Sequence, residues 1–139
     1  MDKIQGFFSN TTSNFTIIQM LVPAFMAILF GQSGLDKVFN YQGNLSYITD
    51  HFKNSPLSKS VKFMMLLITL LEVKAGILCA IGTILIPLGN TKWAFWGVLT
   101  AAIALLCLFF GQRMAKDYGG AASLVTYFIL AVFGLLLLS

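Results

Sequence analysis

Charged residues are scarce in this sequence: Asp, Glu, Lys and Arg make up 10% of its 139 residues, whereas 58% of the residues are hydrophobic. Soluble domains contain roughly 25% charged and roughly 45–50% apolar residues. This composition therefore excludes an ordinary water-soluble domain and indicates an integral membrane protein. The net charge of +4 is too thinly distributed for a nucleic-acid-binding surface, so we expect no nucleic-acid partner.

Residues that bind metals are equally few, because the chain has one histidine, His51, and two cysteines, Cys79 and Cys107. These are too few soft ligands for a zinc, haem or iron–sulfur site within the chain, and we expect no metal and no intrinsic cofactor. Along the membrane helices that the sequence predicts, the two cysteines lie at depths that differ by about 18 Å. A disulfide requires Cα atoms within about 7 Å, so the sequence does not support dithiol redox chemistry.

Long apolar stretches are what the sequence does contain, and four of them cover residues 15–35, 61–88, 92–112 and 119–138. A membrane-spanning helix needs about 20 mostly apolar residues, and each stretch reaches that length. None shows the alternation of a strand, and a helix satisfies its own backbone hydrogen bonds in lipid. We therefore predict an all-α membrane protein that forms one domain over residues 1–139, a four-transmembrane-helix bundle.

The one long connection, residues 36–60, contains a pattern typical of a short amphipathic helix over residues 45–53. Asn44 precedes this helix as its expected N-cap, and the turn-forming residues 54–56 follow it. Its apolar side carries Leu45, Ile48 and Phe52, and its polar side carries Ser46, Asp50 and Lys53. The pattern predicts an interfacial helix with its apolar side in the headgroup region. The alternative is an ordinary loop that packs over the bundle.

Basic residues are distributed unequally between the two ends of the predicted bundle. We term these ends side A, where both termini lie, and side B, where the 36–60 connection lies. Side A carries Lys3 and Lys92, and side B carries Lys37, Lys53, Lys59, Lys62, Arg113 and Lys116. Because cytoplasmic loops carry an excess of Lys and Arg, we expect side B to face the cytoplasm of a bacterial-type inner membrane, with both termini outside. The residues expected to contact lipid headgroups or an acidic partner surface at this rim are Lys37, His51, Arg113 and Lys116.

Glu72 lies deep in the predicted membrane, about 16 Å into the second helix and near the middle of a core about 30 Å thick. Charged residues at such depths are costly and usually face a bundle interior or a cavity. The residues that share its helix face are mostly small or polar: Met65, Ile68, Thr69, Ala75, Gly76, Cys79 and Thr83. We predict that this face points inward. Glu72 then either joins helices as a protonated or paired acid, with a Gln, Tyr or Arg of another helix as its partner, or lines a ligand or proton pathway.

Lys74 follows two residues later on the same helix and therefore points about 200° away from Glu72. Its neighbours on that face are large and aliphatic: Leu67, Leu70, Ile77, Leu78, Ile81 and Leu85. An amine on such a face either snorkels toward the headgroups or is covered by protein. We predict that another subunit or a second copy of this chain covers it, which makes Lys74 a candidate partner-interface residue.

The fourth helix carries a stripe on one face that combines Tyr127 with small residues: Gly120, Ser123, Ala131 and Gly134. Small residues allow close helix contact in lipid, so the stripe is expected either to pack plainly against a neighbouring helix or to meet the Glu72 face. In the second case the hydroxyl of Tyr127 joins Glu72 as a candidate for a ligand or proton pathway. We assign no catalytic residue.

Two segments share short motifs with a known family. Residues 31–39 read GQSGLDKVF, and residues 71–82 read LEVKAGILCAIG. They resemble the Gly-x-x-Lys end of the first helix and the Glu-containing second helix of DoxX-like membrane proteins, and the loop with Pro56, the closing helix pair and the four-helix layout are also similar. The resemblance implies a compact four-helix bundle and, for some members, association with quinone-linked systems such as thiosulfate:quinone oxidoreductase. It carries over Lys37 and Glu72, whereas no family role can be transferred to Lys74.

These observations together favour an accessory subunit of a larger membrane assembly, of a respiratory or quinone-linked kind, with a mainly structural and non-catalytic role. Its expected partners are membrane lipids and other membrane subunits or further copies of itself. The first alternative is a quinone-reactive subunit of an oxidoreductase, in which Glu72 and Tyr127 line the quinone pocket and a partner delivers the electrons. The second alternative is a component of a small transporter or channel.

Overall fold

The computed structural model describes the backbone of residues 2–139 and the side chains of residues 14–139. The regular structure of this part of the chain is helical throughout, without a strand. Its α-helices are α1 (Asp2–Phe39), α2 (Tyr41–His51), α3 (Val61–Leu85), α4 (Lys92–Met114) and α5 (Tyr118–Leu138). Single 3₁₀ turns, Ser58–Ser60 and Ile86–Leu88, flank α3.

Four helical segments are long and apolar enough to cross a membrane: Asn14–Phe39, Ser58–Leu88, Lys92–Met114 and Tyr118–Leu138. They confirm the four long apolar helices that the sequence predicts. The first helix continues to Phe39 rather than ending at residue 35, so Lys37 lies within α1. Lys3, which was counted for side A, lies outside the residues whose side chains are described.

Helix α3 lies between α1 and α4, and α5 packs against α4 and α1. Glycine allows the closest approaches between these helices. A Cβ atom at Gly76 would lie 2.9 Å from the backbone of Gly31 on α1, and one at Gly97 on α4 would lie 2.7 Å from the backbone of Cys79. Backbone contacts of this kind on both sides of α3 explain why its inward face carries small side chains.

The inward face of α3 is the one that helical periodicity predicts. Its buried residues are Val61, Met65, Ile68, Thr69, Glu72, Ala75, Gly76, Cys79 and Gly82. Thr83 is only half-buried, because Gly82 provides the close contact with Ala94 at that level. On the opposite face Lys74, Leu70 and Ile77 are exposed.

The short helix in the first connection exists, but it begins four residues earlier than predicted and Asn44 is not its N-cap. The cap position is Asn40. The amide of Asn44 donates backwards instead, to the backbone oxygen of Asn40 at 2.8 Å and to Asp36 Oδ2 at 3.1 Å. These bonds hold the corner between α1 and α2 and let α2 start at Tyr41.

Helix α2 packs over the side-B end of the bundle, against α3 and α1. The predicted division of its faces holds, because Phe52 is buried and Ile48 half-buried, while Asp50 and Lys53 are exposed. Phe52 reaches α4, where its ring lies next to Gly111. The connection is therefore a helix that covers part of the bundle.

Candidate functional site

An ion pair between half-buried Lys37 and buried Glu72 joins α1 to α3 within the bundle. Glu72 is 1% exposed, and its Oε2 atom accepts from Lys37 Nζ at 2.9 Å and from Ser33 Oγ at 3.0 Å. Lys37 Nζ also donates to Ser33 Oγ at 3.0 Å. The carboxylate thus has both a charged and a neutral donor from α1, which compensates for its loss of solvent.

The local sequence of α1 explains how this partner set forms. Ser33 and Lys37 are four residues apart and therefore lie on the same helix face. Between them, Gly34 packs against the backbone of Val73, so the two helices approach closely at this level. A larger residue at position 34 would hold the hydroxyl and the amine away from Glu72.

This geometry corrects the expectation for Lys37 and supplies a partner for Glu72 that the sequence analysis missed. Lys37 was expected at the membrane rim, in contact with headgroups. Its side chain is instead 14% exposed and its amine points toward Glu72. The expected partner of Glu72 was a Gln, Tyr or Arg, yet the i, i+4 spacing of Ser33 and Lys37 was the signal that could have identified the pair.

A cavity of about 690 Å³ lies at side B, between α2, the first half of α3 and the second half of α4, and it opens to the outside of the bundle past the exposed side chains of Phe63 and Phe110. Its walls are mainly apolar and include Ile48, Phe52, Met64, Met65, Ile68 and Leu108. Polar side chains also line it, notably Lys37 from α1, His51 from α2 and Gln112 from α4. Glu72 does not line this cavity and acts on it only through its contact with Lys37.

His51 connects α2 to the turn between α4 and α5. Its Nε2 atom lies 2.9 Å from Gln112 Oε1 and 3.4 Å from Asp117 Oδ2. Both contacts are with oxygen atoms, which accept hydrogen bonds and match an N–H donor on Nε2. Tyr47 stacks on the imidazole with ring centroids 5.7 Å apart. These contacts place His51 at the cavity wall, and its expected contact with headgroups stays a prediction.

A second bond ties the same region to α4. Ser55 Oγ donates to the backbone oxygen of Met114 at 3.1 Å, just beyond the end of α2. Asp117 in turn caps α5, because its side chain accepts from the backbone N–H of Gly120 at 2.9 Å. The α2 side of the cavity is therefore fixed to the α4–α5 turn at two points.

The other rim residues lie at side B as expected. Arg113 is exposed, and its guanidinium group stacks 4.5 Å above the ring of Tyr118. Lys116 is exposed and has a positive φ of 59° in the α4–α5 turn. Their contact with headgroups or a partner stays a prediction.

Tyr127 does not belong to this site. It is half-buried on α5, and its ring lies 6.1 Å from that of Phe25 on α1. The predicted contact between its hydroxyl and the Glu72 face is not formed, because α5 packs against α4 and α1 rather than α3. Gly134 of the same stripe packs against Val22, so helix packing is what the stripe provides.

Of the other residues singled out from the sequence, Lys74 and Cys79 do not line the cavity, and Cys107 does. Lys74 is exposed on the outward face of α3, as predicted. Cys79 is buried and Cys107 exposed, and both are free thiols. Among the side chains of residues 14–139, no group of three or more His, Cys, Asp or Glu residues is placed to hold a metal ion.

Comparison with family models, curated proteins and solved structures finds no match to this chain.

Proposed function

We propose that this chain is an integral membrane subunit whose side-B cavity binds an apolar molecule with a hydrogen-bonding head, and that a quinone is the first candidate. The observation that carries this proposal is the cavity itself. Its volume of about 690 Å³ falls within the roughly 300–1,000 Å³ of small-molecule sites, which combine apolar walls with a few polar groups.

Lys37 is the residue best suited to contact the head of such a ligand. An ammonium group has three donors, and two of them are directed to Glu72 and Ser33. The third is available to an acceptor in the cavity that Lys37 lines. A quinone carries two carbonyl oxygens that accept hydrogen bonds on an apolar ring, which matches this donor and the apolar walls. Glu72 is then a positioning residue that holds the amine in place.

The test is equilibrium binding of a short-tailed quinone to the full chain in lipid nanodiscs. Ile48→Trp fills the cavity from α2, while Ser46→Trp adds the same bulk to the exposed side of that helix. We expect saturable binding that Ile48→Trp weakens by at least about tenfold, which is about 1.4 kcal/mol, and that Ser46→Trp leaves unchanged. Absence of saturable binding, or equal affinity in both variants, would contradict the proposal.

The second candidate is the mainly structural accessory subunit, of the DoxX-like kind, in a respiratory or quinone-linked assembly. It is favoured by the internal satisfaction of Glu72, whose bonds to Lys37 and Ser33 link α1 to α3 without any ligand. Glu72→Gln distinguishes the two candidates in the isolated assembly. A purely structural role predicts less assembly but unchanged turnover per intact complex. A ligand-positioning role predicts lower quinone-dependent turnover in intact complex.

We further propose that α2 lies in the headgroup region and that side B faces the cytoplasm. The excess of basic residues on side B supports this orientation. The amphipathic pattern of α2 supports its placement at the interface. In that orientation the ligand cavity lies in the cytoplasmic half of the bundle.

A further inference from the structure

A groove of about 420 Å³ lies on the outer surface of α3 and α4, toward side A. It is lined by Lys74, Leu78, Lys92, Trp93, Trp96 and Thr100. Both lysines and both tryptophans are exposed. The groove therefore combines two cations and two indole rings on a surface that is otherwise apolar.

The two lysines enter the groove from different depths. On the facing sides of α3 and α4, Gly82 lies opposite Ala94 and Cys79 lies opposite Gly97. This antiparallel register places the backbone of Lys74 about 15 Å deeper in the bundle than that of Lys92. Lys74 is thus at hydrocarbon depth, and Lys92 is at the side-A end of the membrane span.

The positive charge of this groove is not balanced by the described part of the protein. Of the four acidic side chains within residues 14–139, Asp36, Asp50 and Asp117 lie toward side B. The fourth, Glu72, is paired with Lys37. The first turn of α4, which starts at Lys92, contains no acidic residue, and the N-terminal end of a helix adds partial positive charge.

The geometry points to one anionic phospholipid of the side-A leaflet as the occupant of this groove. Its phosphate lies between the amines of Lys74 and Lys92, and its acyl chains continue deeper along the outward apolar face of α3, where Leu70 and Leu67 are exposed. Lysines near a membrane surface attract anionic headgroups, and tryptophan is typical of the membrane interface on both sides. The deep lysine then meets a counter-charge within reach of its flexible stem.

A lipid explains the groove better than a protein partner does. A protein partner would have to carry an acidic side chain on a membrane-spanning segment to meet Lys74, which is costly, whereas a lipid phosphate stays near the interface and the flexible Lys74 side chain reaches toward it. A phospholipid is abundant at this surface and carries its own anionic group next to apolar chains. The expectation that a partner subunit covers Lys74 is therefore replaced by a lipid, and protein occupancy becomes an outcome of the test.

The test is native mass spectrometry of the full chain released from nanodiscs that contain equal amounts of phosphatidylglycerol and phosphatidylcholine. We expect one phosphatidylglycerol to be retained over phosphatidylcholine by about tenfold or more. A lysine near a membrane surface contributes roughly a fivefold preference for anionic lipid, so Lys92→Gln should lower the ratio about fivefold. Lys74→Gln, which removes the deeper and less solvated amine, should lower the ratio by at least as much. Lys74→Arg, which keeps the charge, should preserve the preference.

Lys62→Gln is the matched control, because Lys62 is exposed on the same helix but lies at side B. It should leave the lipid ratio unchanged, and Lys74→Gln should leave quinone binding in the side-B cavity unchanged. Equal retention of the two lipids overturns the inference. So does a protein dimer that Lys74→Gln dissociates while the lipid ratio stays the same.

Discussion

The Glu72–Lys37 pair yields a prediction in which two harmful substitutions compensate each other. Glu72→Leu leaves the ammonium of Lys37 with Ser33 as its remaining described partner. Lys37→Met leaves a buried carboxylate with one neutral donor. The double variant removes both charges and fills the same space with apolar groups. The account therefore predicts that the double variant is more stable than either single variant.

The magnitudes follow from the burial of the two side chains. Removal of one partner of a buried ion pair costs about 3–5 kcal/mol, whereas replacement of both by apolar residues is often neutral. The Lys37 side chain is 14% exposed and lines the cavity, while that of Glu72 is 2% exposed. We therefore expect losses of about 3 kcal/mol for Glu72→Leu and about 4 kcal/mol for Lys37→Met, with the double variant within about 1 kcal/mol of the parent protein.

The assay is reversible unfolding in mixed micelles, followed by circular dichroism, with the coupling free energy taken from the double-mutant cycle. Lys62→Met serves as the control, because it removes an exposed charge from α3. A double variant whose loss equals the sum of the two single losses would refute the reasoning. Single variants that behave like the Lys62 control would refute it as well.

Three other predictions test the packing and the orientation. Gly76→Leu should cost about 2 kcal/mol or more in the same unfolding assay, because its side chain would meet the backbone of Gly31 and overpacking is destabilising. Gly31→Ala, where the new Cβ has open space, should be neutral or stabilise the protein by up to about 1 kcal/mol, because alanine is the better helix former. His51→Ala should increase amide hydrogen exchange across α2, because the contacts of His51 with Gln112 and Asp117 are lost. Asp50→Ala, which changes an exposed residue of the same helix, should leave the exchange unchanged. Equal exchange in the two variants would contradict the assignment of His51 as a residue that holds α2 to the α4–α5 turn. Lys116→Cys should react with an impermeant thiol reagent in inverted membrane vesicles and not in intact cells. Reaction in intact cells but not in inverted vesicles would contradict the proposed cytoplasmic location of side B.

The direction of Glu72 and Lys74 was predictable because helical geometry alone decides which residues share a face. The small residues on one face and the large aliphatic residues on the other then indicate which face points inward. Both assignments hold in the structure, with Glu72 buried and Lys74 exposed. No knowledge of the neighbouring helices was needed for this step.

The partner of Glu72 was harder to predict, because the i, i+4 spacing of Ser33 and Lys37 indicates a donor pair on α1 but the contact with Glu72 also depends on the register between two helices. Lys37 stands at the end of an apolar stretch, where a lysine usually indicates the membrane rim. The contact of Gly34 with Val73 sets the register that turns Lys37 inward. The side-B cavity was missed for a related reason, since three separate elements must meet to form it.

The misplacement of Tyr127 has a further cause. A stripe of small residues predicts close packing but does not specify the neighbour, and α5 uses its stripe against α1 and α4. The start of α2 depends on one side chain in a similar way. Asn44 is equally able to cap a helix or to donate its amide upstream, and in the folded chain it donates to Asn40 and Asp36.

The most direct test of the account is to map where a photoreactive quinone labels the full chain in lipid nanodiscs. After illumination, peptide mass spectrometry locates the modified residues. The account predicts labels on α2 and on the side-B half of α3, at cavity residues such as Ile48, Met64 and Met65, with competition by unlabelled quinone. Labels restricted to the side-A groove near Trp93 and Trp96, or labels that unlabelled quinone does not reduce, would contradict it.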